Sequence, residues 1–314
     1  MSKSKLRNLS NLPSLGAGDK IGEGDTFIIY NLLPTTDEDV SDSRPPGDTI
    51  FHTLYNEVSW QKMYHAAGEV PRLVAVQGTI DPEGCKPIYR HPSDQSPPLL
   101  PFTPGVELVK KAAEKAVGHE LNHVLIQLYR DGRDYISEHS DKTLDIVHGT
   151  KIVNASFGAQ RTMRLRRKKK NVTLVDDNDV ASDLSGQRET QRIHMPHNSI
   201  FVLGLETNRA WLHGINADKR IASERAAEEL AFDGMRISLT FRYIGTFLSE
   251  DDSLIWGQGA RGKTREKAGK VIVGDVIETE NMIRAFGREN HQDEGWDWQE
   301  AYGQGFDVLH FLTS

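Results

Sequence analysis

From Asn122 to Gly245 the chain is cut into short β-rich runs, and this pattern restricts the fold more than any other feature. The runs are HVLIQLYR, KIVNASFG, RTMRLRR, QRIHMP, NSIFVLG, AWLHGI and RISLTFRYIG, each bounded by Gly, Asp, Asn or Pro. Short runs of branched and aromatic residues between turn formers read as strands. Two helical segments precede them. Phe51–His65 carries Phe51, Leu54, Tyr55, Val58 and Met63 near helical spacing, and Gly105–Glu120 is rich in Ala, Leu, Lys and Glu and should stop near Gly118. Pro71–Ile80 reads as a further strand, and a short one is expected at Pro87–Arg90. Many short strands after two helices imply an α+β chain whose core is a double-stranded β-helix, a jelly roll, with helices packed on one face.

The domain plan follows from where this pattern stops. Residues 1–24 lack an apolar period and are expected to be flexible; residues 25–248 form the β-rich domain. Residues 249–314 are Gly-rich, then helical around Glu278–Phe286, then aromatic. Trp296, Trp298, Tyr302, Phe306 and Phe311 are too many large rings to leave in water, so this extension should fold back on the core and could close over it as a lid. Two polar insertions, Asn171–Gln191 and Asn216–Met235, interrupt the strands, the second with some helical character. With Cys85 as the single cysteine, an intrachain disulfide is excluded. The first residues hold no apolar core of a signal peptide, and no run approaches the roughly 18–20 apolar residues that span a bilayer. A cytosolic or nuclear protein is expected, with no membrane partner. The net charge of −7 argues against a surface that is one nucleic-acid footprint, though a local basic patch is compatible with it.

The chemistry gathers on three β-rich words. His139 and Asp141 form an H-x-D pair, and His213 lies in AWLHGI. Two imidazoles and one carboxylate leave open positions on an octahedral ion, the facial triad of non-haem Fe(II) oxygenases. Arg236 and Arg242 sit six apart on RISLTFR; a strand's period of two puts them on one face with Ser238 and Thr240, while Ile237, Leu239 and Phe241 take the other. A guanidinium is suited to gripping the carboxylate of a keto-acid co-substrate bidentately. Taken singly, each motif also suits a solvated turn or a pair of surface arginines.

Two further motifs each admit more than one use. Gly257–Thr264 satisfies the phosphate-loop pattern G-x4-G-K-T. That mechanism needs a parallel sheet before the loop and a helix dipole after it; about fifty residues remain and the run after Thr264 is polar, so a glycine loop near the site's mouth is expected. The basic run Arg164–Lys170 could neutralise phosphates, or be a solvated hairpin end balanced by the acidic stretch behind it.

The words LYRDGRDYISEHSD, KIVNASFGAQRTMRLRRKK, HGI and RISLTFR resemble the AlkB-type Fe(II)/2-oxoglutarate oxygenases, over roughly Phe51 to Gly245. The likeness is to the members that repair alkylated nucleic acids. It implies Fe(II) held by His139, Asp141 and His213, with 2-oxoglutarate and O2 as co-substrates. It further implies that Arg236 binds the distal carboxylate, that Tyr129 hydrogen-bonds the co-substrate, that Gln127 stands where the family has Asn, and that Arg242 lines the pocket.

The departures bear on substrate. Lys142 stands where the repair enzymes have an acid after H-x-D, and Gln77 where an aromatic stacks on the flipped base. Losing both base-reading devices, with the acidic balance, favours hydroxylation of a small nitrogen-containing molecule such as an amino acid or secondary metabolite, its carboxylate paired with Lys142. Demethylation of alkylated bases in DNA or RNA is the alternative, with the basic run on the phosphates. A binding module without catalysis is disfavoured by the complete triad.

Overall fold

The computed structural model describes residues 13–34, 44–65, 68–93, 95–169, 188–292, 295–310 and 312–313. Strands β1 (Ser14–Leu15) and β2 (Phe27–Tyr30) precede helix α1 (Pro46–Glu57), and β3 (Leu73–Gly78) and β4 (Leu99–Pro101) precede α2 (Pro104–Val117). The β-rich stretch supplies β5 (His123–Tyr129), β6 (Ile136–His139), β7 (Ile152–Gly158), β8 (Arg161–Arg167), β9 (Thr190–Met195) and β10 (Ser199–Leu203). A short helix α3 (Leu205–Ala210) then leads into β11 (Trp211–Ile215) and β12 (Arg236–Arg242).

Two sheets form the expected jelly roll. The larger has the order β2-β10-β7-β12-β5-β3-β4, antiparallel except at β3–β4; the smaller has the order β1-β9-β8-β11-β6. Alternation explains the layers. Ile237, Leu239 and Phe241 of β12, with Ile126 and Val153, turn to one side of the large sheet, where Phe51 and Leu54 of α1 and Val106 and Val109 of α2 cover them. On the opposite side Tyr129, Ile152 and Phe201 meet Met163, Leu165, Ile193 and Trp211 of the small sheet. His139, Asp141, His213, Tyr129 and Arg242 line the open part of that inter-sheet space.

The helix expected at Phe51–His65 is shifted to Pro46–Glu57. Pro46 is tolerated in the first turn because its missing N–H has no intrahelical acceptor there. The C-terminal part is lost because Gln61 exchanges two 2.9 Å backbone hydrogen bonds with Val74 of β3, so sheet pairing wins over helix continuation. Helix α2 stops as expected, with Gly118 in the left-handed region at φ 77°. The strand expected at Pro87–Arg90 pairs at Lys86–Pro87 instead. Within Asn216–Met235 the helical character amounts to short turns at Ala222–Glu224, Ala227–Leu230 and Ala231–Gly234.

The flexible N-terminal segment needs correction over residues 13–24. β1 pairs in parallel with β9, Ile21 is fully buried, and the Gly22 N–H donates to Gln191 Oε1. Residues 1–12, most of the acidic insertion (171–187), Lys170 and Phe311 lie outside the described residues.

After β12 come β13 (Thr246–Leu248), β14 (Leu254–Gly257) and β15 (Gly269–Lys270), which extend a small antiparallel sheet from Lys86–Pro87. Helices α4 (Val276–His291) and α5 (Trp298–Tyr302) follow. Met282, Phe286 and Tyr302 pack with Trp296, Trp298 and Phe306 around Leu144, three residues past Asp141. The aromatic tail is thus folded against the loop that carries the H-x-D motif. Gly257–Thr264 is a hairpin turn between antiparallel strands, without the strand-loop-helix frame of a phosphate loop. Gly259 lies there against Arg90 and Asp145, where a Cβ would collide with both side chains. Among the described residues no helix is long and apolar enough to cross a membrane.

Candidate metal and co-substrate site

Strand pairing brings the two histidines together. β6 lies antiparallel to β11 with His139 directly opposite His213, and their ring centroids are 4.4 Å apart. The register slips between Ile136 and His139, a bulge that turns His139 inward beside its partner. Gly214 permits this: a Cβ there would press on the backbone of Ile136 and Glu138.

Asp141 completes the group from the turn after β6. Its Oδ1 lies 3.8 Å from His139 Nε2 and 3.7 Å from His213 Nε2. Its other oxygen, Oδ2, accepts from Arg242 Nε at 2.8 Å and Nη2 at 2.7 Å. Asn208 of α3 pins the backbone, its Oδ1 accepting from Asp141 N and its Nδ2 donating to Asp141 O, both at 2.9 Å. His139 Nδ1 donates to the Ser137 carbonyl at 2.8 Å, which leaves the Nε2 lone pair facing Asp141. Burial pushes the Asp141 carboxyl up, but Arg242 and the two imidazoles outweigh it and hold it at about 2. Burial, then His139, lowers His213 to about 3, and burial also lowers His139. The result is two neutral imidazoles and one carboxylate, with the three ligand atoms within 4.8 Å of one another. That donor set fits a ferrous ion and leaves coordination positions open.

Arg236 has the opposite character, a buried cation in search of an anion. It is fully buried; Nε donates to Ser156 Oγ at 2.8 Å, Nη2 to Asn154 Oδ1 at 3.1 Å, and the guanidinium lies over the Tyr129 ring at 5.2 Å. Nη1 has no hydrogen-bond partner, and no carboxylate pairs with Arg236 among the described residues. Burial pulls it down to about 10, with Tyr129 opposing. An unpaired buried guanidinium costs free energy until an acid meets it, so the orphaned nitrogen fits an incoming carboxylate. Tyr129 Oη donates to Gln127 Oε1 at 3.0 Å, and both side chains line the same cavity of about 540 Å³.

The two candidate substrate residues do not behave as expected. Gln77 is buried on the helix side of β3, where its Oε1 accepts from Thr103 N at 2.9 Å; Val76 faces the cavity in its place. Lys142 reaches the cavity wall, but its Nζ donates to Ser140 O at 2.7 Å and Asn290 Oδ1 at 3.0 Å, and burial lowers it, with Glu289 opposing. It is a strut, not a waiting cation.

Several residues had no local signal in the sequence. Tyr89 lies under Arg242 at 4.1 Å and accepts from Lys142 N at 3.0 Å. Asn154 and Ser156 of β7 orient Arg236; Asn290 and Phe286 of α4 form a wall of the cavity. Each becomes a neighbour only through packing.

The basic run is divided. Arg164 and Arg166 point outward from the small sheet, both against Glu138, and Arg188 stands close enough to feel them. Arg167 pairs with Glu23, and Lys168 turns inward to donate to the Glu289 carbonyl at 2.7 Å.

The stretch of chain that carries this site is similar to known proteins. The family model described as the 2OG-Fe(II) oxygenase superfamily matches residues 43–242. DNA oxidative demethylase ALKBH2 of Bos taurus is 29% identical over 144 residues, 46% of this chain and 45% of that protein. Alpha-ketoglutarate-dependent dioxygenase alkB homolog 3 of Bos taurus is 27% identical over 202 residues, 63% of this chain and 62% of that protein. The chain therefore spans about half to two thirds of the length of these relatives. Among solved structures, one titled "The structure of OsALKBH1" is 16% identical with a TM-score of 0.40, covering 70% of this chain and 98% of that one.

Proposed function

The chain belongs to the 2OG-Fe(II) oxygenase superfamily, and from that premise we propose that it removes alkyl groups oxidatively from damaged bases in nucleic acid. It is an Fe(II)-dependent dioxygenase that uses 2-oxoglutarate and O2. When bound, the iron and co-substrate supply oxygen activation; hydroxylation of an N-methyl group then gives an N–CH2OH that releases formaldehyde. His139, Asp141 and His213 would hold the metal, and Arg242 would fix Asp141 by its second oxygen so that Oδ1 faces the ion. Arg236 would grip the distal carboxylate of 2-oxoglutarate, with the Tyr129 hydroxyl beside it.

The observation that carries the substrate class is the similarity to a relative named a DNA oxidative demethylase across 46% of the chain. It corrects the expectation of a small-molecule partner. Two supports of that expectation also fail on geometry: Gln77 faces away from the cavity, and Lys142 is already satisfied by Ser140 and Asn290. The outward Arg164 and Arg166 give a phosphate backbone something to meet on the face behind the metal strands.

The test is incubation of the protein with Fe(II), 2-oxoglutarate and oligonucleotides carrying single N-methylated bases, reading formaldehyde and restored base by mass spectrometry. Formaldehyde and succinate in equal amounts, both absent in His139→Ala, are expected. Succinate production that no methylated oligonucleotide stimulates, without formaldehyde, would end the proposal.

A further inference from the structure

Helix α4 belongs to the extension, outside residues 43–242 that match the family, yet it forms part of the cavity wall through Ile283, Phe286, Gly287, Asn290 and His291. Of these, Asn290 is the side chain whose hydrogen bonds fix its orientation. Its Oδ1 accepts from Ser140 N at 3.0 Å, Ser140 Oγ at 3.4 Å and Lys142 Nζ at 3.0 Å. Ser140 N and Lys142 Nζ, which flank Asp141 in sequence, donate, so they fix which end of the amide is oxygen. The amide nitrogen is thereby turned from them, and among the described residues Nδ2 meets no acceptor.

We propose that Asn290 is a specificity residue of the active site, its Nδ2–H donating to a carbonyl oxygen on the edge of the alkylated base. This rests on the reading of the protein as a nucleic-acid demethylase. Beside a methylated ring nitrogen, 1-methylguanine and 3-methylthymine present a carbonyl where 1-methyladenine and 3-methylcytosine present an amino group. A fixed donor pairs with the first kind and leaves two donors facing each other with the second. A site built around a hydrogen bond rejects the base that cannot make it, because the site's own polar group is then left unpaired.

The decisive variant is Asn290→Asp. A carboxylate keeps an oxygen for Ser140 and Lys142 and replaces the Nδ2 donor by an acceptor, so the fold is preserved while the reading is inverted. The experiment measures kcat/KM of wild type, Asn290→Asp and Asn290→Ala on otherwise identical oligonucleotides carrying 1-methylguanine or 1-methyladenine. Anaerobic binding of the same oligonucleotides, where no turnover occurs, is measured in parallel, with thermal midpoints to check folding. Wild type is expected to favour 1-methylguanine by about tenfold or more, Asn290→Ala to lose most of that ratio, and Asn290→Asp to reverse it, in binding as well as in turnover. A ratio that is the same in all three proteins, or a wild type that prefers 1-methyladenine, overturns the assignment. Absence of demethylation on every lesion is a different result: it removes the demethylase reading, and this inference with it.

Discussion

Arg236 and Arg242 are the same residue type on the same face of one strand, and their surroundings give them different tasks. Arg242 spends two of its nitrogens on Asp141, which makes it part of the metal-ligand assembly. Among the described residues Arg236 meets neutral groups, Ser156 Oγ, Asn154 Oδ1 and the Tyr129 ring, and keeps a nitrogen without a partner. A charge-assisted hydrogen bond contributes about 1.5–3 kcal/mol, so Arg236→Met should weaken 2-oxoglutarate binding by roughly ten- to a hundredfold while leaving Fe(II) binding close to wild type. Titration of each ligand in the absence of the other measures this, and a variant that loses iron but binds the keto acid normally would reverse the two roles. The spacing on β12 was legible, since alternation puts residues six apart on one face. Which of the two arginines would find an acid was not, because Asp141 arrives from a turn about a hundred residues away in sequence.

At the scale of elements, the extension is joined to the H-x-D loop by a buried ion pair. Arg90 and Asp145 are both fully buried; Arg90 Nε and Nη2 grip the two carboxylate oxygens at 3.1 and 2.6 Å. The same guanidinium donates to the carbonyls of Gly259 at 2.8 Å and Phe306 at 2.6 Å, both in the extension. Glu289 of α4 adds a second tie, accepting from Thr143 N at 3.0 Å and from Tyr302 Oη at 2.7 Å. Removing one member of a buried pair strands the other charge, at a cost of about 3–5 kcal/mol, whereas replacing both by apolar groups is often close to neutral. Arg90→Met should therefore lower the thermal midpoint markedly, and Arg90→Met with Asp145→Leu should recover much of it. Equal drops in the single and double variants would show that the carbonyl hydrogen bonds, rather than the pair, hold the extension. The aromatic-rich composition of the tail made its return to the core legible. Its seat on the ligand loop depended on Arg90, Asp145 and Gly259, three residues that carry no shared pattern along the chain.

For the whole molecule, the net charge of −7 is misleading because charge is distributed unevenly. Arg164 and Arg166 face outward from the small sheet around one carboxylate, Glu138, on the strand whose other face presents His139. A basic face on an acidic protein can hold phosphates while the remainder of the surface repels them. Replacing both arginines by Glu should weaken binding of methylated and unmethylated duplex alike. It should also flatten the dependence of log affinity on log salt by about 0.9 for each phosphate that is no longer neutralised. An unchanged slope in a filter-binding or anisotropy titration would place the phosphate-binding face elsewhere on the molecule.

Legible along the chain were the two-layered β-rich core and the shared face of Arg236, Ser238, Thr240 and Arg242, because these follow from the two-residue period of a strand and from local turn chemistry. The sequence misdirected the reading of Gln77, since β3 is buried on both faces, its five-residue core from Val74 to Gly78 giving no polar alternation to mark which side meets the cavity. It took the folded chain to set His139 across from His213, to use Lys142 as a strut, and to bring Asn290 to the site on a helix from a distant segment. Those outcomes rest on which strands pair and which loops a distant segment can satisfy, and hydrogen bonds between residues 67 to 150 positions apart leave no periodic trace in the chain that makes them.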